Sequence, residues 1–137
     1  MIKLIMGLKG AGKTKQLIRD INESVQNESG SMVCIEKGTK LRYDIDRRVR
    51  LIEYQEYMQE GSMEFLKGFI SGLHAGNFDI SHIFIDSLYK IIAEQTVEAV
   101  EDFILWCDKF GAANDISFTV VVSEDPAKAT EALKKYL

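Results

Sequence analysis

One proline and two cysteines in 137 residues exclude several classes of small protein at once. Cys34 and Cys107 are too few and too far apart for a CxxC metal or redox motif. Each sits in an apolar stretch, which predicts two reduced, buried thiols. No apolar run approaches the roughly 20 residues of a membrane span. The first apolar run is short and passes into glycines instead of a small-residue cleavage site, so a soluble, cytoplasmic protein is expected. Positive charge is not in excess either: the formal net charge is −4, which argues against a nucleic-acid binder that relies on a field over its whole surface. The two histidines, His74 and His82, fit no metal-binding spacing, and helix-face or strand-packing roles are expected for both. There is no internal repeat and no low-complexity segment.

What remains is an ordinary globular composition, 46% hydrophobic and 28% charged, at a length suited to a single domain over residues 1–137. Apolar runs and helical periodicities alternate along it. Ile2 to Met6 reads as a buried strand closed by Gly7, and Leu17, Ile18, Ile21 and Val25 recur at helical spacing until a polar turn at "NESGS". "SMVCIEKG" (Ser31 to Gly38) reads as a second strand, expected to lie parallel to the first because a helix returns the chain in the same direction. Val49 to Ile52 is a short strand candidate. Met63, Leu66, Phe69, Ile70 and Leu73 share a helical face that stops near Gly76 and Asn77. "ISHIFIDS" (Ile80 to Ser87) is a strongly apolar strand, followed by a long helical region broken near Thr96, with Val97, Val100, Phe103, Ile104 and Cys107 facing inward. "ISFTVVVSEDP" is the last strand, with Asp125 and Pro126 as N-cap and first position of a final helix. The alternation predicts a three-layer α/β fold with a mostly parallel sheet of about five strands.

Between the first strand and the first helix stands Gly7-Leu8-Lys9-Gly10-Ala11-Gly12-Lys13-Thr14, which fits G-x-x-x-x-G-K-[ST]. At about 7% Gly, about 6% Lys and about 12% Ser plus Thr, chance supplies this pattern in roughly one chain in two hundred of this length. Each residue type has a reason. Glycines open backbone angles closed to other residues and let successive N–H groups converge on a phosphate, while the following helix aims its positive end at the same point. Lys13 can reach the β and γ phosphates, and the Thr14 hydroxyl can ligate Mg2+. Lys9 can touch phosphate or stay in solvent. Such a loop needs an acid at the end of a neighbouring strand to hold the metal. Asp86, after the apolar positions His82 to Ile85, fits that role and can also cap the helix that follows.

With "GLKGAGKT" and "HIFIDS" the chain resembles the P-loop NTPase superfamily, whose Walker A and Walker B elements these match, over most of its length. More narrowly it resembles small bacterial ATP-binding proteins sometimes labelled twitching-motility retraction ATPases. The resemblance implies binding of Mg2+ and ATP, with Lys13 and Asp86 at the centre of the chemistry.

Many hydrolytic members place a glutamate straight after the Walker B aspartate. Here that position is Ser87, so a base comes from elsewhere, and Glu36 and Glu124 are the candidates at predicted strand ends. Ser123 is placed to sense a γ-phosphate or to cap its turn. Four of five arginines, Arg42, Arg47, Arg48 and Arg50, crowd into "RYDIDRRVR", and none follows Arg50, so the arginine lid of small phosphotransferases is absent. A solvated charged face is the simpler reading of that cluster. An arginine finger, if used, comes from it or from a partner chain. No N-K-x-D element marks guanine, which leaves ATP as the default. Three functions stay open: a slow or partner-activated ATPase, a nucleotide-dependent switch or adaptor without significant turnover, and a small phosphotransferase. A protein partner or self-association through residues 38–60 is compatible with each.

Overall fold

The computed structural model describes residues 1–58 and 61–137; Gln59 and Glu60, at the end of the 38–60 stretch, lie outside the described residues. Among the described residues five strands form one sheet, all parallel: β1 (Ile2–Met6), β2 (Ser31–Glu36), β3 (Val49–Glu53), β4 (Ile80–Ile85) and β5 (Ser117–Val122), in the order β1-β5-β4-β2-β3. The helices are α1 (Lys13–Asn27), α2 (Met63–Gly76), the single turn α3 (Leu88–Ile91), α4 (Val97–Asn114) and α5 (Glu131–Lys134).

Side chains leave a strand alternately on its two faces, and two separate apolar clusters result. Ile5, Met32, Cys34, Phe84 and Val121 pack with Leu17, Ile21 and Val25 of α1 on one face. Leu4, Val33, Ile35, Ile83, Ile85, Phe118 and Val120 pack with Leu66 and Ile70 of α2 and with Val100, Phe103, Ile104 and Cys107 of α4 on the other. These are the three layers that the sequence predicts, and both cysteines are free and buried as expected.

β1 and β2 run parallel as expected, but they do not form a pair: β5 and β4 lie between them. Charge follows the same division in part, although the interior strand β2 ends in the buried acid Glu36. "ISHIFI" and "SFTVVV" carry no charged residue and fill the centre, whereas β1 carries Lys3, half-exposed and paired with Asp20 at 2.7 Å, and β3 carries Arg50 and Glu53. At the edges, water reaches the side chains of Lys3 and Arg50. The outer edge of β1 is partly closed by the chain itself, since the Leu4 N–H donates to the Tyr136 carbonyl at 2.8 Å. The end of the chain also differs from expectation. Asp125 caps as predicted, accepting from the Ala127 N–H at 2.9 Å, but Pro126–Lys128 is only a 3-10 turn, and α5 begins at Glu131.

His82 takes the strand-packing role. Its ring lies 4.0 Å from that of Phe84 with 7° between the planes. Nδ1 is 2.9 Å from Glu28 Oε2 and Nε2 is 2.9 Å from Thr119 Oγ1. A neutral ring that donates to Glu28 and accepts from Thr119 satisfies both nitrogens. Burial holds His82 below its ordinary value of 6.5, with Glu28 opposing the shift. Below that pH the unfolded chain gains a proton that the folded chain resists, so the stability contributed by the neutral ring is present above about pH 6.5 and is lost as pH falls toward the depressed value. Thermal melts at pH 7.5, 6.5 and 5.5 should therefore show a decline in wild type that is flattened in His82→Gln.

Candidate functional site

Of the three long helices, α1 begins differently from the other two. α2 starts on Ser62, which accepts from the Phe65 N–H at 3.0 Å, and α4 starts on Thr96, which accepts from the Ala99 N–H at 3.1 Å. α1 starts on Gly12, with no side-chain cap and no acid in its first turn. Its first N–H groups are left for an outside acceptor, at the end of the helix that carries partial positive charge. The loop before it is bent by Gly10 at φ 86° and Gly12 at φ 84°, backbone that a side chain disfavours. A Cβ on Gly7 would stand 3.0 Å from Ala11 Cβ, so the loop is also tightly closed at its base.

The uncapped end of α1 opens into a cleft of about 710 Å³ at the carboxyl ends of the strands, where ligands of open parallel sheets gather. Lys9, Gly10, Gly12, Lys13, Thr14, Ser87 and Ser123 line it, together with Lys15, Lys40 and Lys90. Gly7 is buried, and Leu8 and Ala11 are exposed without lining the cleft; the Leu8 carbonyl accepts from Lys13 Nζ at 3.1 Å. A smaller pocket of about 190 Å³ shares Lys40, Ser87 and Lys90 with the cleft and adds Glu36 and Asp86.

Glu36 and Asp86 come together through strand register. Ile35 of β2 pairs with Ile85 of β4, and the Asp86 N–H donates to the Ile35 carbonyl at 3.0 Å. The two acids that follow are therefore neighbours, and both are buried. Burial raises the Asp86 carboxyl above its ordinary value, opposed by a hydrogen bond from Ser87 and by the charges of Lys90, Lys40 and Lys13. Burial also raises Glu36, opposed by the Lys40 and Leu41 N–H groups, which donate to its two oxygens. Ser87 has φ 53° and ψ 68°, left-handed backbone on a non-glycine residue, and its Oγ lies 3.3 Å from Asp86 Oδ1. Such backbone is retained where surrounding structure enforces it, and it gathers at functional sites.

The remaining candidates are placed elsewhere. Glu124 does not line the cleft; it accepts from the Tyr89 hydroxyl at 2.9 Å and lies 3.7 Å from Lys128 Nζ. None of the clustered arginines lines it. Arg42 pairs with Glu53 at 2.5 Å, and Arg48 and Arg50 border a separate groove of about 660 Å³ with Tyr57, Phe69 and Leu73. Lys40 and Lys90 are the residues that sequence reasoning missed. A signal was available, because each follows a strand-end acid by four positions.

The Thr14 hydroxyl of the cleft and the Asp86 carboxylate of the adjoining small pocket are hard oxygen donors, the kind that suits a divalent cation such as Mg2+ and not a soft one. Among the described residues no helix is long and apolar enough to cross a membrane.

No family model matches the chain, and no curated protein sequence does. Among solved structures, the crystal structure of the flagellar accessory protein FlaH from Methanocaldococcus jannaschii is similar, with a TM-score of 0.58 at 15% identity, over 98% of this chain and 65% of that one. At that identity the likeness speaks for the fold alone, and the fold is α/β with three layers, P-loop NTPase-like.

Proposed function

We propose that residues 1–137 form one nucleotide-binding domain that holds Mg2+ and ATP in the cleft over residues 7–14 and hydrolyses the nucleotide slowly or under the control of a partner. The observation that carries this reading is the uncapped start of α1 behind a doubly left-handed glycine loop, facing a pair of buried strand-end acids. Backbone N–H groups of the loop and Lys13 neutralise phosphate oxygens. Thr14 and Asp86 hold the cation, which when bound withdraws charge from the outer phosphates. Glu36, beside Asp86, is the residue best placed to orient water.

Slowness follows from the surroundings of Glu36. Its carboxylate already accepts from two backbone N–H groups, and the position after Asp86 is a serine instead of an acid. The same observation favours the second reading, a nucleotide-dependent switch without significant turnover. The narrower likeness to small bacterial ATP-binding proteins labelled twitching-motility retraction ATPases rests on the same residues, 7–14 and 82–87. A protein partner at residues 38–60 is supported by Tyr43, which is 92% exposed.

Calorimetric titration with Mg·ATP and Mg·GTP, followed by steady-state ADP or GDP release on the tighter ligand, tests the proposal. Binding with turnover supports the ATPase, and binding without turnover supports the switch. Failure to bind either nucleotide rejects both.

A further inference from the structure

The two acids of the site are followed by the same spacing. β2 runs out through Glu36-Lys37-Gly38-Thr39-Lys40 and β4 through Asp86-Ser87-Leu88-Tyr89-Lys90, an acid and then a lysine four residues later. The chain leaves the two strands by different routes. After Glu36 it folds back, so that the Lys40 and Leu41 N–H groups donate to the carboxylate. After Asp86 it passes through left-handed Ser87 into α3. Both lysines nevertheless arrive at one place, since each lines both the small pocket around the acids and the larger cleft. Neither ammonium has a hydrogen-bond or ion-pair partner among the described residues.

Charge distribution makes this convergence unusual. The chain as a whole is net −4, yet five lysines and no carboxylate line the larger cleft. Lys9, Lys13 and Lys15 belong to the loop and the start of α1, which together suffice to seat phosphates at the base of the cleft. Lys40 and Lys90 come from two other elements and sit on the side of Asp86. Their charges act on Asp86 together with that of Lys13. Thr14 and Asp86 would hold the cation of a bound Mg–nucleotide, and its outer phosphates would then lie on the side of Asp86, where Lys40 and Lys90 sit.

We propose that Lys40 and Lys90 form a second basic clamp that grips the terminal phosphate of a nucleoside triphosphate and makes the cleft select triphosphates over diphosphates. The inference rests on the reading of the cleft as a nucleotide site. Without ligand the two ammonium groups offset the buried acids. With a Mg–nucleotide bound, the Lys40 and Lys90 ammonium groups would turn to the phosphate oxygens. Lys40 adds a coupling, because its backbone N–H holds Glu36 while its side chain reaches the cleft: gripping the phosphate fixes the turn at residues 37–41 that positions Glu36.

The test is calorimetry with Mg·ATP and Mg·ADP on wild type, Lys40→Ala and Lys90→Ala, with Lys109→Ala as a control for loss of charge elsewhere and circular dichroism to check folding. Each cleft variant should lower the ATP:ADP affinity ratio about tenfold while ADP affinity stays within about twofold, the loss expected for one charge-assisted contact. Lys109→Ala should leave the ratio unchanged. Amide exchange across residues 37–41 should slow with ATP but not with ADP in wild type, and this protection should vanish in Lys40→Ala. Equal losses for both nucleotides, no loss for either, or the same fall in Lys109→Ala would overturn the clamp while leaving the nucleotide site in place. A wild-type protein that binds neither nucleotide removes the nucleotide reading itself, and the clamp with it.

Discussion

With the cleft read as a nucleotide site, Lys13→Ala should lower affinity for Mg·ATP by about 100-fold or more and leave the fold intact. The size follows from the loss of charge-assisted contacts to phosphate inside a cleft, each worth about 1.5–3 kcal/mol, against about 1.4 kcal/mol for every tenfold in affinity. The intact fold follows from what Lys13 touches without ligand. Its ammonium donates only to the Leu8 carbonyl at 3.1 Å, it belongs to neither apolar cluster, and it is half-exposed. Surface changes of that kind stay within about 0.5 kcal/mol. Calorimetry and a thermal melt check the two halves separately. Unchanged affinity together with unchanged turnover would remove residues 7–14 from the site altogether.

Asp86→Asn should have two effects of opposite sign. The dependence of nucleotide affinity on Mg2+ should disappear, because the amide is a far poorer ligand for a hard cation than the carboxylate. At the same time the nucleotide-free protein should become more stable at pH 7. Burial raises the Asp86 carboxyl in the folded chain, which means that its ionised form is less favourable there than in the unfolded chain. The penalty is absent at pH values below the ordinary carboxylate value of 3.8 and grows as pH rises through the window above it. Melting temperatures of variant and wild type should therefore coincide near pH 4 and separate toward pH 7 in favour of the variant, by about 3 °C for each kcal/mol relieved. A variant less stable at pH 7 with its Mg2+ dependence intact would show that Asp86 is a structural residue and not a ligand; it does not cap the following helix, which begins on Ser87 with no side-chain cap. Stability gained where function is lost is the usual mark of a site held against its own preference.

The loop and the strand that bears Asp86 were legible because their determinants are local. Glycines at fixed offsets, a lysine and a hydroxyl belong to one short stretch, and an apolar run ending in an acid marks a buried strand end. Strand order was not legible. Which strands become neighbours depends on packing between distant residues, and the partial clue, Lys3 in β1 against uncharged β4 and β5, gains meaning only once edge and centre are distinguished. The pairing of Glu36 with Asp86 depends on that order and was hidden with it. Lys40 and Lys90 were hidden for a related reason. Their common spacing is visible in the sequence, but it becomes informative only when β2 and β4 are known to stand side by side.

The place of β1 at the sheet's edge also bears on when the site comes into existence. β1 is the first strand along the chain, yet its sheet partner is β5, with Ile2 opposite Phe118, and its free edge is met by Tyr136. Loop closure over such a separation is slow, and contacts distant in sequence form late. In a growing chain, β1 and the glycine loop that follows it gain their strand partner only once β5 has been made. In a growing or refolding chain, nucleotide capture would thus be the last property to appear, and its first appearance would report that assembly of the sheet is complete.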